Sequence, residues 1–259
     1  MVEQLRSIWQ RRDLFSYLVI YEMKAENKNK VLGFLWSFLD PLLLLLVYIV
    51  LVVFIFQRGE PQFPVLLFSA LLSWRWFTSS LSRSVTSVSS KVGVVRTVRF
   101  PLALLPLSGI IVGLLDWLFG FAILLPMLFI FEAKFTVHVL WLPLLLLVQL
   151  VGTIGASLIC AVIGTYLSDL RNIIQFILRL WFFLSPVIYS VGARIPEKYQ
   201  TLYMLLNPFA GLLESYKNIL VRGLPPSEYL GIVVILAIVV LVFGFWYFAR
   251  DEYKLVKAV

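Results

Sequence analysis

The sequence is poor in the residues that carry out chemistry. Its one cysteine, Cys160, excludes an internal disulfide framework and any multi-cysteine metal site, and its one histidine, His138, excludes paired histidine ligands. Charge is scarce as well, at 14% against 61% hydrophobic residues. The phosphate-loop pattern G-x-x-x-x-G-K-[ST] is absent, so this polypeptide does not cradle a nucleotide in that way. There is no internal repeat, no low-complexity segment beyond the apolar runs and no stretch that reads as a soluble domain, so any ATP-driven chemistry must come from another chain. Residues 1–14, MVEQLRSIWQRRDL, lack an apolar core followed by a small-residue cleavage site, and no removed signal peptide is expected.

What the chain does have is apolar length, more than a soluble core of this size can hide, so a bilayer must solvate the rest. A membrane helix needs about 20 apolar residues to cross a core roughly 30 Å thick. Six runs qualify, over 33–56, 63–81, 101–131, 139–166, 173–189 and 229–249. Pro106, Pro126 and Pro143 are bending points in the third and fourth. The fold class expected is therefore all-α integral membrane, with six transmembrane helices.

The net charge of +8 does not read as a nucleic-acid face, because the basic residues sit in short segments between apolar runs. Arg6, Arg11, Arg12, Lys24, Lys28, Lys30, Arg83, Lys91, Arg96, Arg99, Arg171, Arg250, Lys254 and Lys257 all fall on one side of the expected topology. Arg58, Lys134, Arg194, Lys198, Lys217 and Arg222 fall on the other, nearly matched by acids. The positive-inside rule then places both termini in the cytoplasm.

Three segments do not span. Residues 1–32 mix Leu5, Ile8, Trp9, Phe15, Leu18 and Val19 with charge, as an amphipathic helix in the cytoplasmic interface does. It is either a surface anchor or a cuff that also touches a partner. The loop 83–99 carries Arg83, Lys91, Arg96 and Arg99, no acid, and a valine at helical spacing, which suits a short docking element as well as an ordinary positive-inside loop. Residues 191–226 are too polar to span, yet Pro196 marks one helix start, and Asn207 as N-cap with Pro208 at the first position marks another. Each helix of roughly 10 residues reaches about 15 Å, half a bilayer, so both are expected as re-entrant elements, and Phe209 opens the apolar stripe of the second.

Within the spans, Arg75 lies about 12 residues into the second run, roughly 18 Å deep at 1.5 Å per residue. A charge there costs about 2.5–3.5 kcal/mol, so it faces a partner or a wet cavity. Anionic lipid-phosphate recognition would keep it; so would pairing with Asp116, which is not depth-matched. Arg179 poses the same choice. Trp74, Trp76, Phe77, Trp181, Phe182, Phe183 and Tyr189 cluster in two spans, where their faces could offer sugar rings a sliding surface.

The block Leu32-Gly33-Phe34-Leu35-Trp36-Ser37-Phe38-Leu39-Asp40-Pro41 resembles the LG-x-x-W…P opening of the first span in polysaccharide-exporting ATP-binding-cassette permeases. Ser185-Pro186-Val187-Ile188-Tyr189, Ile195-Pro196 and Leu206-Asn207-Pro208 follow the SPVIY…IP…NP order of the same family, that of the O-antigen export transmembrane subunit. The chain departs from it at Ala25-Glu26-Asn27-Lys28, where relatives often carry an aromatic flanked by basic residues.

The resemblance implies a bacterial inner-membrane homodimer bound to two ATPase subunits. It would move an undecaprenyl-pyrophosphate-linked glycan to the periplasm through a channel at the dimer interface. No cofactor is expected in this chain; ATP and magnesium would be held by the partner. In that reading residues 83–99 form a coupling helix, Asp169 and Arg171 match a charged pair of the second cytoplasmic loop, and the helices after Pro196 gate the periplasmic mouth. A teichoic-acid or capsule exporter shares this architecture. A lipid-phosphate enzyme would need a constellation of His, Asp or Ser that is missing here. An ion-coupled transporter would want intramembrane acids, for which Asp116 is the firm candidate.

Overall fold

Backbone amides inside hydrocarbon have no water to bond, so long apolar runs satisfy them internally as helices. The computed structural model describes residues 11–27, 32–55, 57, 62–97, 100–167 and 169–258, and among these it contains helices and turns but no strand. In chain order they are α1 (Arg12–Asn27), α2 (Trp36–Ile49, continued by a wider turn over Val50–Ile55), α3 (Phe63–Thr86), α4 (Val92–Thr97), α5 (Leu104–Ile130), α6 (Leu142–Tyr166), α7 (Leu170–Leu184), α8 (Val191–Arg194), α9 (Glu197–Leu206), α10 (Pro208–Lys217, continued over Asn218–Arg222) and α11 (Leu230–Ala258).

Among the described residues four helices are long and apolar enough to cross a membrane, over Trp36–Ile55, Leu104–Ile130, Val137–Tyr166 and Leu230–Lys257. The other two expected spans differ. Helix α3 has the length, 24 residues, but Arg75, Arg83 and its serines lower its hydropathy. It also runs past Leu81 to Thr86, where Ser84 and Val85 are buried, Arg83 is paired with Glu26 and Asp116, and the hydroxyls of Ser84 and Thr86 are satisfied by carbonyls of the same helix. Arg83, expected at the start of a loop, is therefore a helical residue.

Helix α7 has 15 residues, about 22 Å, and stops at Leu184 rather than continuing to Tyr189. Ser185 precedes Pro186 and is held extended, at φ −99° and ψ 149°, which ends the helix. At the other extreme α11 continues beyond Ala249 to Ala258. Its last turns stay helical because Phe248 and Leu255 are buried while Asp251 pairs with Arg250 and Lys254.

Two of the three apolar clusters among the described residues hold the bundle, the third being Val191, Met204 and Ala210 between α8, α9 and α10. The larger is built on α3, which buries Val65 to Phe77 almost without a break, with residues of α6 and α10 closing around it. The smaller gathers Leu18 of α1, Val88, Val95 of α4, Leu102 to Leu105, Leu158 to Val162 of α6, and Phe248 and Leu255 of α11. It joins α1, the α3–α5 connection and the tip of α11 at one end of the bundle. There the Glu252 carboxylate accepts from the Leu102 amide at 3.0 Å.

Helices α6 and α11 cross closely because glycines face each other. A Cβ on Gly155 would lie 2.4 Å from the Val240 carbonyl oxygen, and one on Gly244 would lie 2.3 Å from the Gly155 oxygen. Such small-residue crossings draw membrane helices together by backbone packing rather than by the hydrophobic effect. Gly155→Val is expected to cost about 1–3 kcal/mol by overpacking, read as a lowered melting temperature in detergent. Gly152→Ala, whose Cβ would meet Ala237 at an ordinary 3.4 Å, leaves that temperature unchanged.

Candidate functional site

A groove of about 540 Å³ runs between α2, α3 and α7, walled by Leu44, Tyr48, Leu71, Trp74, Leu178, Phe182 and Phe183. Its polar lining is Arg75, Thr78, Ser79 and Ser82 of α3 with Gln175 and Arg179 of α7, and among the described residues no carboxylate lines it. Arg75 lies eleven residues from the Thr86 end of α3 and Arg179 nine from the Leu170 start of α7, about 16 Å and 14 Å along their axes. Two guanidiniums thus line one groove with apolar walls. The low polarizability of those walls strengthens the field that an entering anion meets.

On the other side of α3 lies a polar cavity of about 280 Å³ lined by Glu26, Trp36, Ser37, Asp40, Arg75, Trp76, Ser79, Arg83, Asp116 and Trp117, among others. Arg83 is saturated here: it pairs with Glu26 of α1 through Nε, reaches its second oxygen at 3.0 Å, and meets Asp116 of α5 at 2.9 Å. Asp116 thus forms its ion pair with Arg83, and Arg75 lies only within its longer electrostatic reach. Arg75 instead faces Asp40 of α2 at 3.7 Å. Lys91, in the turn before α4, pairs with Glu22 of α1, so acids of α1 hold both Arg83 and Lys91.

The aromatic residues do not form an open platform. Trp74, Trp76, Phe77 and Phe182 are buried, and the rings pack on one another. Trp74 meets Trp181 edge-on at 5.8 Å and Phe209 at 5.3 Å, and Phe77 meets Phe209 at 4.7 Å. Trp76 points to the opposite side of α3, where its indole donates to the Ile110 carbonyl at 3.1 Å. Of this block Trp74 and Phe182 line the groove, alongside exposed Phe183. Edge-to-face stacking of this kind favours a rigid block over a sliding face.

The end of α7 is held by α9 and α10. Asn207 occupies the N-cap of α10 but makes no cap hydrogen bond with its side chain. Its carboxamide turns to α7, accepting from the Trp181 indole at 3.0 Å and donating to the Leu184 carbonyl at 3.2 Å and Ser185 Oγ at 2.9 Å. Tyr203 donates to the same carbonyl at 2.7 Å, with the Tyr189 hydroxyl 3.0 Å away. Burial, and then the neighbouring Tyr189, push the Tyr203 hydroxyl well above its ordinary value, so it stays protonated and able to donate. Pro196 caps α9 at an exposed position, Pro208 opens α10, and Phe209 joins the aromatic block.

Beneath them lies a buried ionic knot. Lys217 donates to the Pro186 carbonyl, to that of Tyr189 at 2.6 Å and to Glu214 at 3.4 Å. Glu214 also accepts from the Val191 amide at 3.1 Å and from Arg222 at 2.8 Å. Arg222 in turn donates to Ser190 at 2.6 Å.

The remaining candidates are scattered. Asp169 and Arg171 are exposed at the start of α7, Arg96 belongs to the last turn of α4, and Arg99 lies outside the described residues, as do Leu5, Ile8 and Trp9. Among the described residues no group of His, Cys, Asp and Glu is placed to hold a metal ion. Reading the sequence missed Asp40, Glu26, Glu214 and Gln149. The last bridges α3, α6 and α10 through Ser73 and Tyr216, accepting at 2.7 and 3.0 Å. An acid one residue before Pro41 in an otherwise apolar run was the available signal for Asp40.

Residues 13–221 match the family model described as ABC-2 type transporter. The chain is 33% identical over 242 residues to the O-antigen export system permease protein RfbA of Myxococcus xanthus, covering 93% of each chain. It is 26% identical to the protein of that name from Klebsiella pneumoniae, covering 93% of this chain and 94% of the relative. To the polysialic acid transport protein KpsM of Escherichia coli it is 27% identical over 80% of each. With its long apolar helices and this match over most of its length, the chain is an integral membrane protein that belongs to the ABC-2 type transporter family, as a permease.

Proposed function

We propose that this chain is the transmembrane subunit of an ATP-driven exporter that carries a lipid-linked polysaccharide out of the cytoplasm. The observation that carries the reading is the groove between α2, α3 and α7, which presents Arg75 and Arg179 and, among the described residues, no acid within apolar walls. A lipid-linked glycan has an anionic phosphoester between an apolar tail and a polar chain, and a cationic groove flanked by lipid-facing helices suits its passage. The names of the relatives support the substrate class, O-antigen in two and polysialic acid in another. O-antigen carried on undecaprenyl pyrophosphate is the reading adopted, with capsule or teichoic acid as the alternative cargo.

In this reading the chain crosses the bacterial inner membrane six times, α3 and α7 completing the four evident spans, with both termini cytoplasmic. Helix α7, too short to cross by itself, does so with the help of Ser185 to Tyr189 and of α10, whose residues Phe209 to Lys217 are all buried. Two copies face each other across the channel and bind two ATPase subunits, which hold ATP and magnesium. Lys91 and α4 take up the ATPase movement and pass it to α1 and α3 through the Glu22 and Glu26 pairs. Asp169 and Arg171 offer a second contact on the same side. Helices α9 and α10 gate the outer mouth by gripping the α7 end through Asn207.

Purified with its ATPase in nanodiscs, the complex is expected to hydrolyse ATP faster when lipid-linked polysaccharide is added. If no ATPase co-purifies, or the glycan leaves its rate unchanged, the reading fails. Arg179→Gln is expected to raise the glycan concentration for half-maximal stimulation by about tenfold, the loss of one charge-assisted hydrogen bond. Asn207→Ala, which leaves the Trp181 indole without its acceptor and the Leu184 carbonyl held by Tyr203 and Tyr189 alone, is expected to speed release of a small dye from proteoliposomes. Release at the wild-type rate would count against the gate.

A further inference from the structure

Arg75 lines both cavities, the cationic groove on one side of α3 and the acidic cavity on the other. On the acidic side its one ion pair among the described residues, to Asp40, is long. The 3.7 Å separation from Asp40 exceeds hydrogen-bond length, and the two side chains are 34% and 48% exposed. Arg83 offers the contrast within the same cavity: it is 18% exposed and engages two carboxylates at bonding distance. Glu26 and Asp116 are thereby committed to Arg83, and among the described residues Asp40 pairs with Arg75 alone.

From this geometry we infer that Asp40 is the resting counter-charge of Arg75, and that the phosphoester head group of a lipid entering the groove competes with it for the guanidinium. The inference rests on the exporter reading and adds a positioning residue to it. Arg75 has two faces to choose between, and a phosphate offers what Asp40 does not: a second cation, Arg179, on the same groove, so that one dianion neutralises both. The exchange has a mechanical consequence. Helix α2 buries only Pro41 and Leu45 between Trp36 and Ile49; Leu42, Tyr48 and Ile49 pack half-buried against the core, and Phe38 meets Phe119 at 5.3 Å and Tyr48 meets Phe182 at 5.5 Å. Among the described residues the Asp40 contact is its one ion pair to α3. A head group that takes Arg75 therefore loosens α2 along the wall through which the lipid must pass.

The test titrates the full chain in phosphatidylcholine nanodiscs with farnesyl pyrophosphate, farnesol and inorganic pyrophosphate. Wild type is expected to bind farnesyl pyrophosphate at least about tenfold tighter than either of the others, since it alone carries both tail and head group. Arg75→Gln removes that preference over farnesol. Asp40→Asn, which frees Arg75, tightens farnesyl pyrophosphate several-fold, while Asp40→Glu keeps the wild-type affinity. A merely structural Asp40 would give the opposite sign, so an Asp40→Asn protein of unchanged melting temperature that binds equally or more weakly overturns the exchange. Inorganic pyrophosphate binding as tightly as the lipid overturns the head-group assignment. Should Asp40→Asn fail to fold, hydrogen exchange in wild type decides: α2 amides exchange faster with farnesyl pyrophosphate and not with farnesol, and equal exchange overturns the inference. Glycan-stimulated ATPase activity together with a failed exchange would leave the exporter reading standing, whereas an ATPase indifferent to glycan would remove that reading itself.

Discussion

A charge inside hydrocarbon has no water to turn to, and the arrangement of this permease follows from how each buried charge is answered. Arg83 is answered twice, by Glu26 and Asp116, and this draws α1, α3 and α5 together at one end of the bundle. Lys217, 1% exposed, is answered by two carbonyls and Glu214, which fixes the segment after α7 against α10. Removing one partner from such a set leaves an uncompensated buried charge, which costs about 3–5 kcal/mol. Arg75 is the exception. Among the described residues its one ion pair, to Asp40, is long, and it stands on the boundary between an acidic cavity and a cationic groove. Charges held firmly build the scaffold, and the two arginines of the groove, Arg75 and Arg179, are the ones available to a ligand.

The second constraint is the early end of α7. Pro186 removes a backbone donor and forces Ser185 out of the helical region, so the last carbonyls of α7 need partners from elsewhere. Asn207 and Tyr203 supply them at Leu184, and this is why the connection between α7 and α11 folds back onto the bundle. The same docking presses Phe209 against Trp74 and Phe77 and closes the aromatic block between the groove and the far side of α3. A proline two residues past a helix thus sets the position of Arg179 and of the α9–α10 pair together.

Most of the helices were legible in the sequence because apolar run length is a direct consequence of bilayer thickness. The runs at 33–56, 101–131 and 139–166 match helices closely in the structure. The end of α3 was not legible, because Ser82, Arg83, Ser84 and Thr86 read as a polar loop until the serine and threonine back-bonds and the Glu26 partner are known. The end of α7 was misread for a related reason: Val187 and Ile188 extend an apolar run that Pro186 has already broken. Helix-by-helix reading also could not say which way each aromatic ring points. Trp74 and Trp76 are neighbours in sequence, yet one faces the α7–α10 block and the other α5, since residues two apart on a helix lie on different faces. The Asp40–Arg75 contact joins two helices across a loop, and nothing local in either segment announces it.

The most direct test is movement of the glycan itself. The chain and its ATPase are placed in proteoliposomes with lipid-linked polysaccharide, and an impermeant glycosidase follows the glycan as ATP is supplied to the face that carries the ATPase. Glycan that becomes cleavable on the opposite face only with ATP, and far more slowly in Arg75→Gln and Arg179→Gln, establishes the arginine groove as the path of an ATP-driven exporter. Glycan that stays protected in wild type with ATP, or that crosses equally well in the arginine variants, contradicts it.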